Sequence, residues 1–242
     1  MVSKINFPLG NQSLFLTTLK ELSKKDIEDL EFLIETFSIE LNHHITDSSA
    51  WRFNTGQAQI GIYFQPEFIQ YFNFVYTLFK SYPDTFNPFS VSALSEGQIE
   101  IDEDEKMIVK NIDFEFDTSY FRNIFIMEYI SEYLREAVIN EFLIELDENY
   151  IAQGEKGWLI RNEGLQYNLI NASAINFRYD PSGFKSHKFG AIDNDLQPSP
   201  AFVIGEDLGS LKILTPQINY VNTITDLTKF SEENNVEIIL QK

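Results

Sequence analysis

FDTSYFRNIFIMEYISEYLREAVINEFLIELDENYIAQG, residues 116–154, changes its hydrophobic period part-way along. Over 118–136, Phe121, Ile124, Phe125, Tyr129, Ile130, Tyr133 and Leu134 recur at three- and four-residue intervals, which places them on one face of an α-helix. The run NEFLIELDENYIAQG that follows is ambiguous by periodicity alone. Its end at Gly154 and the GWLIRN beyond it favour strands. A helix running into strands with no Pro/Gly/Ser linker between them is the pattern of an α+β chain.

Towards the N-terminus, SLFLTT (13–18) is short, apolar and rich in strand formers. Ser23 reads as an N-cap with Asp26 at the capping-box position, and Ile27, Leu30, Leu33, Phe37 and Leu41 continue at helical spacing. Residues 42–57, NHHITDSSAWRFNTGQ, are polar and turn-rich and read as a loop with Trp51 as its buried candidate. QIGIYF alternates like a strand. Pro66 then opens a helix whose apolar stripe is Phe68, Tyr71, Phe72, Val75 and Phe79. GQIEIDEDEKMIVKNI reads as two strands joined by an acidic, solvated turn at 102–106. Towards the C-terminus, NLINASAINF, AFVIGE and LKILT are expected to extend a sheet, followed by a helix over 217–233 and a final strand VEIILQ. The expectation is an α+β fold of mixed or antiparallel sheets with helices packed outside, forming a single domain over 1–242.

Composition bounds the function. A chain of 242 residues with 22 Phe and 11 Tyr has ample material for an apolar core. The net charge of -19, from 18 basic and 37 acidic residues, sets up a field that repels phosphate backbones and anionic membrane surfaces. Nucleic acid is therefore not an expected partner. The absence of cysteine excludes disulfides, thiolate metal sites and thiol nucleophiles. No run is apolar enough to span a membrane, and MVSKINFPLG has neither the apolar core of a leader nor a lipobox cysteine, so a cytoplasmic address is expected. Nucleophile-elbow, phosphate-loop and dinucleotide fingerprints are absent. His43 and His44 are adjacent, not spaced i, i+4 as in a helical metal pair.

Several local patterns in succession resemble the ApbE-type FAD:protein FMN transferases. SSAWRFNTG (48–56) is similar to the family's "dSeisrlN", with Asn54 as its asparagine. DTFNPFSVSAL (84–94) is similar to "GaFDPTvgPL", keeping Phe86 and Pro88. FDTSYFRNIFIMEYISEYL (116–134) lies over "lDLGGIAKGYavDrvaeyL" without a gap. Asp117, Phe125 and Glu128 then take the aspartate, tyrosine and second aspartate positions, and Asn123 takes the lysine's. LIELDENYIAQG (143–154) resembles "lInlGGnilalG", with Asp147 and Glu148 in place of the glycine pair. Ser173 keeps the serine of "aTSGdY", and SHKFGAIDNDLQPSP offers His187 and Asp193 for "HiidPrtGyP". In "ADalaT", whose aspartate and threonine hold the family's Mg²⁺, the positions fall on Asn222 and Asp226.

The resemblance implies the family fold, with FAD and Mg²⁺ as candidate cofactors and a protein as acceptor or partner. Asn54, Phe86, Asp117, Asn123, Phe125 and Glu128 would face the cofactor. Asn222 and Asp226 would face the metal, and His187 or Asp193 the hydroxyl proton. It also implies a loss, because two carboxylates and an asparagine stand where bare amides and a lysine would meet a diphosphate. One like-charge contact at ~4 Å costs on the order of 4 kcal/mol at an effective dielectric of ~20. Two principal readings follow, a non-catalytic binding or scaffold protein whose cleft is filled by aromatic and acidic side chains, and an active Mg²⁺-dependent transferase that attaches FMN to a protein threonine. A carrier for another small aromatic ligand is a third.

Overall fold

The computed structural model describes residues 2–82, 86–91, 94, 97–119, 121–162, 165–179, 199–218 and 224–240. Its contacts divide the chain into two compact units, Met1–Ile34 with Asn123–Lys242, and Glu35–Arg122.

The first unit is built on a seven-stranded sheet in the order β1-β2-β6-β7-β10-β11-β12. The strands are β1 (Ser3–Leu9), β2 (Gln12–Thr18), β6 (Phe142–Leu146), β7 (Asn149–Gln153), β10 (Ala172–Tyr179), β11 (Ser199–Gly205) and β12 (Glu237–Leu240). Every neighbouring pair is antiparallel. Strand β2 alternates buried with half-buried side chains, sinking Leu14 and Leu16 completely, and β6 does the same with Phe142, Ile144 and Leu146. This alternation is the period-two signal that the sequence carries. Strands β8 (Trp158–Asn162) and β9 (Leu165–Leu169) form a separate hairpin. Its Ile160 and Leu169 pack with Tyr150, Ala152, Ala174 and Phe202 of the main sheet.

Helix α1 (Lys24–Glu40) starts with the expected reciprocal cap. The Ser23 amide donates to Asp26 Oδ2 at 3.0 Å, and the Asp26 amide donates to Ser23 Oγ at 3.1 Å. Helix α4 (Arg122–Glu136) buries Ile124, Phe125, Ile126, Met127, Ile130, Ser131 and Leu134. It begins four residues later than expected, after Phe121, whose φ of 58° is not helical. The hydroxyl of Tyr133 reaches Asp29 Oδ2 at 3.1 Å and Asp26 Oδ1 at 3.3 Å, which ties α4 to the start of α1.

Two expectations for the first unit are corrected. LKILT is not a strand but lies within helix α5 (Leu208–Ile218), packed on β10 and β11. Asp207 starts that helix by accepting from the Ser210 amide at 2.8 Å and from its hydroxyl at 2.7 Å, and Leu211 and Ile218, seven residues apart, are both fully buried. The single helix expected over 217–233 is replaced by the end of α5 and by α6 (Ile224–Asn234). Strand β1 had no counterpart in the sequence reading.

The second unit holds α2 (Ser49–Thr55), α3 (Pro66–Ser81) and a three-stranded antiparallel sheet in the order β3-β5-β4, from β3 (Gly61–Tyr63), β4 (Ile99–Asp102) and β5 (Met107–Lys110). The segment expected to be a loop contains α2, which Ser48 caps by accepting from the Trp51 amide at 3.0 Å. Its core residue is Phe53, 1% exposed, whereas Trp51 is only half-buried. The apolar stripe expected of α3 is buried, and its phenylalanines form a core with those of α2 and of the segment after β5. The Phe53 ring lies 4.9 Å from Phe72, 5.7 Å from Phe114, and 6.0 Å from both Phe68 and Phe116. Lys110 is buried among them, its Nζ donating to Phe53 O at 2.6 Å and Phe114 O at 3.2 Å, and lying 4.8 Å from the Phe53 ring centre. Burial pulls its ammonium below the ordinary lysine value, opposed by the charges of Asp113 and Glu115.

Phe53→Ala opens a void at the centre of this core and is expected to lower stability by about 3–5 kcal/mol. The chain has two tryptophans, so in a Trp158→Phe background the urea transition followed by Trp51 fluorescence reports the second unit. A loss below about 1 kcal/mol would mean that the aromatic cluster is not the core of that unit.

Candidate functional site

The second unit contains a hollow of about 580 Å³ lined by a short list of polar groups on well-held backbone. Asn54, on the last turn of α2, clamps Phe116, with Nδ2 donating to Phe116 O at 3.0 Å and Oδ1 accepting from Phe116 N at 2.8 Å. An asparagine can pair with a peptide unit in this way because its amide carries one donor and one acceptor edge. Opposite, Phe89 bridges to Phe116, and the Asp117 amide donates to Pro88 O at 2.9 Å. Ser90 Oγ accepts from the Glu115 amide at 2.8 Å, and Asn87 Oδ1 accepts from the Phe89 amide at 3.0 Å. Asp117 Oδ1 accepts from the Ser119 amide at 2.9 Å.

The remaining wall comes from the turn after α1. The His43 and His44 rings stand 4.0 Å apart, and His43 Nδ1 lies 3.2 Å from the hydroxyl of buried Thr118. Burial, then the neighbouring His44, depress the basicity of His43, against the opposing charge of Asp117. Tyr71 supports the floor by donating to Thr118 O at 2.9 Å, and its burial pushes the phenol well above its ordinary value. The result is a hollow with two imidazoles, two exposed carboxylates (Glu115 and Asp117) and amide groups already committed to backbone.

The first unit places a second set of the expected residues. Asp147 and Glu148 form the two-residue turn between β6 and β7, with φ of 52° and 58°. Two consecutive left-handed residues define a type I′ turn, the geometry that glycine adopts without strain. Asn149 closes it by donating to Leu146 O at 3.1 Å and Asp147 O at 3.0 Å. Both carboxylates are solvent-exposed and held from the side. Glu148 accepts from Asn176 Nδ2, and Asp147 Oδ2 lies 3.5 Å from Asn123 Nδ2, which also donates to Gln12 Oε1 at 3.1 Å. Asn123 Oδ1 is buried without a hydrogen-bond partner among the described residues.

The expected cofactor residues are therefore distributed. Asn54 and Asp117 share the hollow of the second unit. Phe86 is 1% exposed and stacks in the core 5.5 Å from Phe121. Phe125 is buried on α4 with its ring 5.1 Å from Tyr129, and Glu128, one turn on, lines a hollow in the first unit. Asp226 is exposed on the first turn of α6. His187, Asp193 and Asn222 lie outside the described residues. The sequence reading weighed His43 and His44 only as a metal pair. It passed over Asn87, Ser90 and Glu115, whose shared wall depends on Pro88 and Phe116 meeting through a long-range bridge.

No protein-family model and no curated protein matches the chain. Solved structures do. An apo flavinyl transferase ApbE from Pseudomonas stutzeri superposes with a TM-score of 0.73 at 14% identity, covering 100% of this chain and 93% of that one. The flavin transferase ApbE from Vibrio cholerae gives 0.68 at 11% identity, covering 99% and 93%. An ApbE protein from Thermotoga maritima gives 0.73 at 10%, covering 99% and 94%. The fold is that of the ApbE flavin transferases. The α+β class expected from the sequence is correct, with the main sheet antiparallel throughout. At these identities the likeness to ApbE concerns the fold alone. Among the described residues no helix is long and apolar enough to cross a membrane.

The depressed basicity of His43 has a consequence for stability. A base whose folded pKa lies below its unfolded value takes up a proton on unfolding, so its contribution to stability falls as the pH drops through about 6.5 and levels off below the folded value. The urea midpoint of the wild type is expected to fall over that window, and His43→Asn to flatten this part of the profile. An unchanged profile in the variant would place His43 in ordinary solvent.

Proposed function

We propose that this chain is a non-catalytic binding or scaffold protein on the ApbE fold that does not hold FAD in the family manner. The observation that carries the reading is the β6–β7 turn. Its two left-handed positions coincide with the glycine pair of the resemblance, yet they carry Asp147 and Glu148. A non-glycine residue in this region costs on the order of 1 kcal/mol, so the carboxylates stand where the backbone alone would favour glycine. Because both are exposed, their repulsion of a diphosphate at ~4 Å lies between about 1 kcal/mol in water and about 4 kcal/mol near a surface. That corresponds to roughly a fivefold to thousandfold loss of affinity for each close contact. Asn123 adds to it, since the expected lysine charge is absent and its amide is turned to Gln12 and Asp147. These residues do not fit a bound diphosphate.

The alternative, an active Mg²⁺-dependent FAD:protein FMN transferase acting on a protein threonine, is favoured by a different observation. Asn54 and Asp117 meet in one hollow beside the imidazoles of His43 and His44, a side-chain type that serves as general base.

Titration of the purified protein with FAD and MgCl₂, followed by flavin fluorescence, decides between them. The wild type is expected to show no saturable micromolar binding, and Asp147→Gly/Glu148→Gly to fold normally and gain affinity by at least about tenfold. Micromolar binding by the wild type, or FMN appearing on a threonine of an added acceptor protein, would establish the transferase instead.

A further inference from the structure

The second hollow lies wholly in the first unit and has a volume of about 350 Å³. Helix α4 supplies one wall through Glu128, Ser131, Glu132 and Arg135. The sheet supplies Ile151 and Ser173, and the start of α5 supplies Asp207. Ile151 and Ser173 are register partners on β7 and β10, so they face α4 together from adjacent strands. The opposite face of these strands, with Tyr150, Ala152 and Ala174, is sealed by the β8–β9 hairpin.

Ser131 is the informative residue. It is 2% exposed, lines the hollow, and its Oγ has no hydrogen-bond partner among the described residues. A helical serine ordinarily turns its hydroxyl back to the carbonyl four residues earlier. A buried hydroxyl left unpaired is destabilising, a penalty that a bound group facing it would remove. Charge defines that group. Glu128 and Glu132 stand at i, i+4 on the helix wall of the hollow. Asp207 adds a third carboxylate; one lone pair on each of its oxygens serves Ser210, and the others remain available. Arg135 is the basic residue of the wall, and it donates at 3.4 Å to Gln153. Among the described residues these carboxylates do not converge as a cluster of three or more metal ligands.

We infer that this hollow binds a small aliphatic ammonium cation of the diamine class, with one ammonium donating to Ser131 Oγ and the site's net negative charge selecting for positive charge. The inference rests on the reading that FAD is not held in the family manner, because the resemblance would turn Glu128 of this hollow to the cofactor. A diamine fits the volume, carries donors only, and matches a wall in which carboxylate and hydroxyl acceptors predominate.

Isothermal titration calorimetry of the full chain with 1,4-diaminobutane tests the inference, with 1,4-butanediol as the uncharged probe of the same length. The expected result is one saturable site for the diamine, weakened by salt, and none for the diol. Ser131→Ala is expected to weaken the diamine by about fivefold to tenfold without lowering the melting temperature, because it removes an unpaired polar atom. Glu132→Gln is expected to weaken it by about tenfold, and Glu105→Gln, at the tip of the β4–β5 turn, to leave it unchanged. Equal weakening by Glu105→Gln and Glu132→Gln would show diffuse attraction to an acidic surface and overturn the site. Absence of a saturable isotherm, or unchanged binding in Ser131→Ala, would overturn it too. None of these outcomes bears on FAD, which is titrated separately.

Discussion

The β6–β7 hairpin is the constraint on which the first unit depends. Its strands are third and fourth of seven, and a one-residue slip between them would turn every side chain to the opposite face. The turn prevents this because a two-residue loop closes only if Leu146 faces Asn149, and that register carries through to Phe142 opposite Gln153. Four of the five residues of β7 are buried, including neighbours that point to opposite faces, so the strand is covered on both sides. Asp147 and Glu148 hold a geometry that glycine would adopt more readily, and Asn149, Asn176 and Asn123 supply side-chain contacts around it.

The second unit solves a different problem. Its sheet has only three short strands, too little surface to bury a core by itself, and the aromatic residues of α2, α3 and the segment after β5 supply the missing area. Lys110 is the exception within that core. Its ammonium is accommodated because two carbonyls and two ring faces replace water around it. The polar hollow lies at the edge of the same cluster, where Phe89 and Phe116 turn their backbones towards Asn54 and Ser90.

Much of this was legible in the sequence, and the failures have physical causes. The capped start of α1, the proline start of α3, the acidic β4–β5 turn and the β6 and β7 strands were read because each couples a local signal to a periodic one. LKILT failed because five apolar-rich residues suit a strand or a buried helix equally. What decided it was the Asp207 cap just upstream and the helical spacing beyond. Helix α2 was missed because serine, asparagine and threonine mark helix ends and loops alike. The site was less legible than the fold. Asn54 and Asp117 were found through a resemblance, whereas Ser90, Glu115 and Ser131 take their roles from partners far away in the chain, or from lacking one.

This difference also explains how a fold can be shared at 10–14% identity without the chemistry following from it. A sheet needs alternation, register and two left-handed positions, and many side chains satisfy those demands. A diphosphate cradle needs particular side chains to be absent, so that amide hydrogens are bare and the local charge is positive. The β6–β7 turn meets the first requirement with residues other than glycine. Its dihedral angles are those of a glycine pair, while its side chains are two carboxylates bound up with asparagines. Backbone geometry therefore tracks a fold through side chains of quite different charge, and it is at such points that a fold likeness stops being an argument about a cofactor.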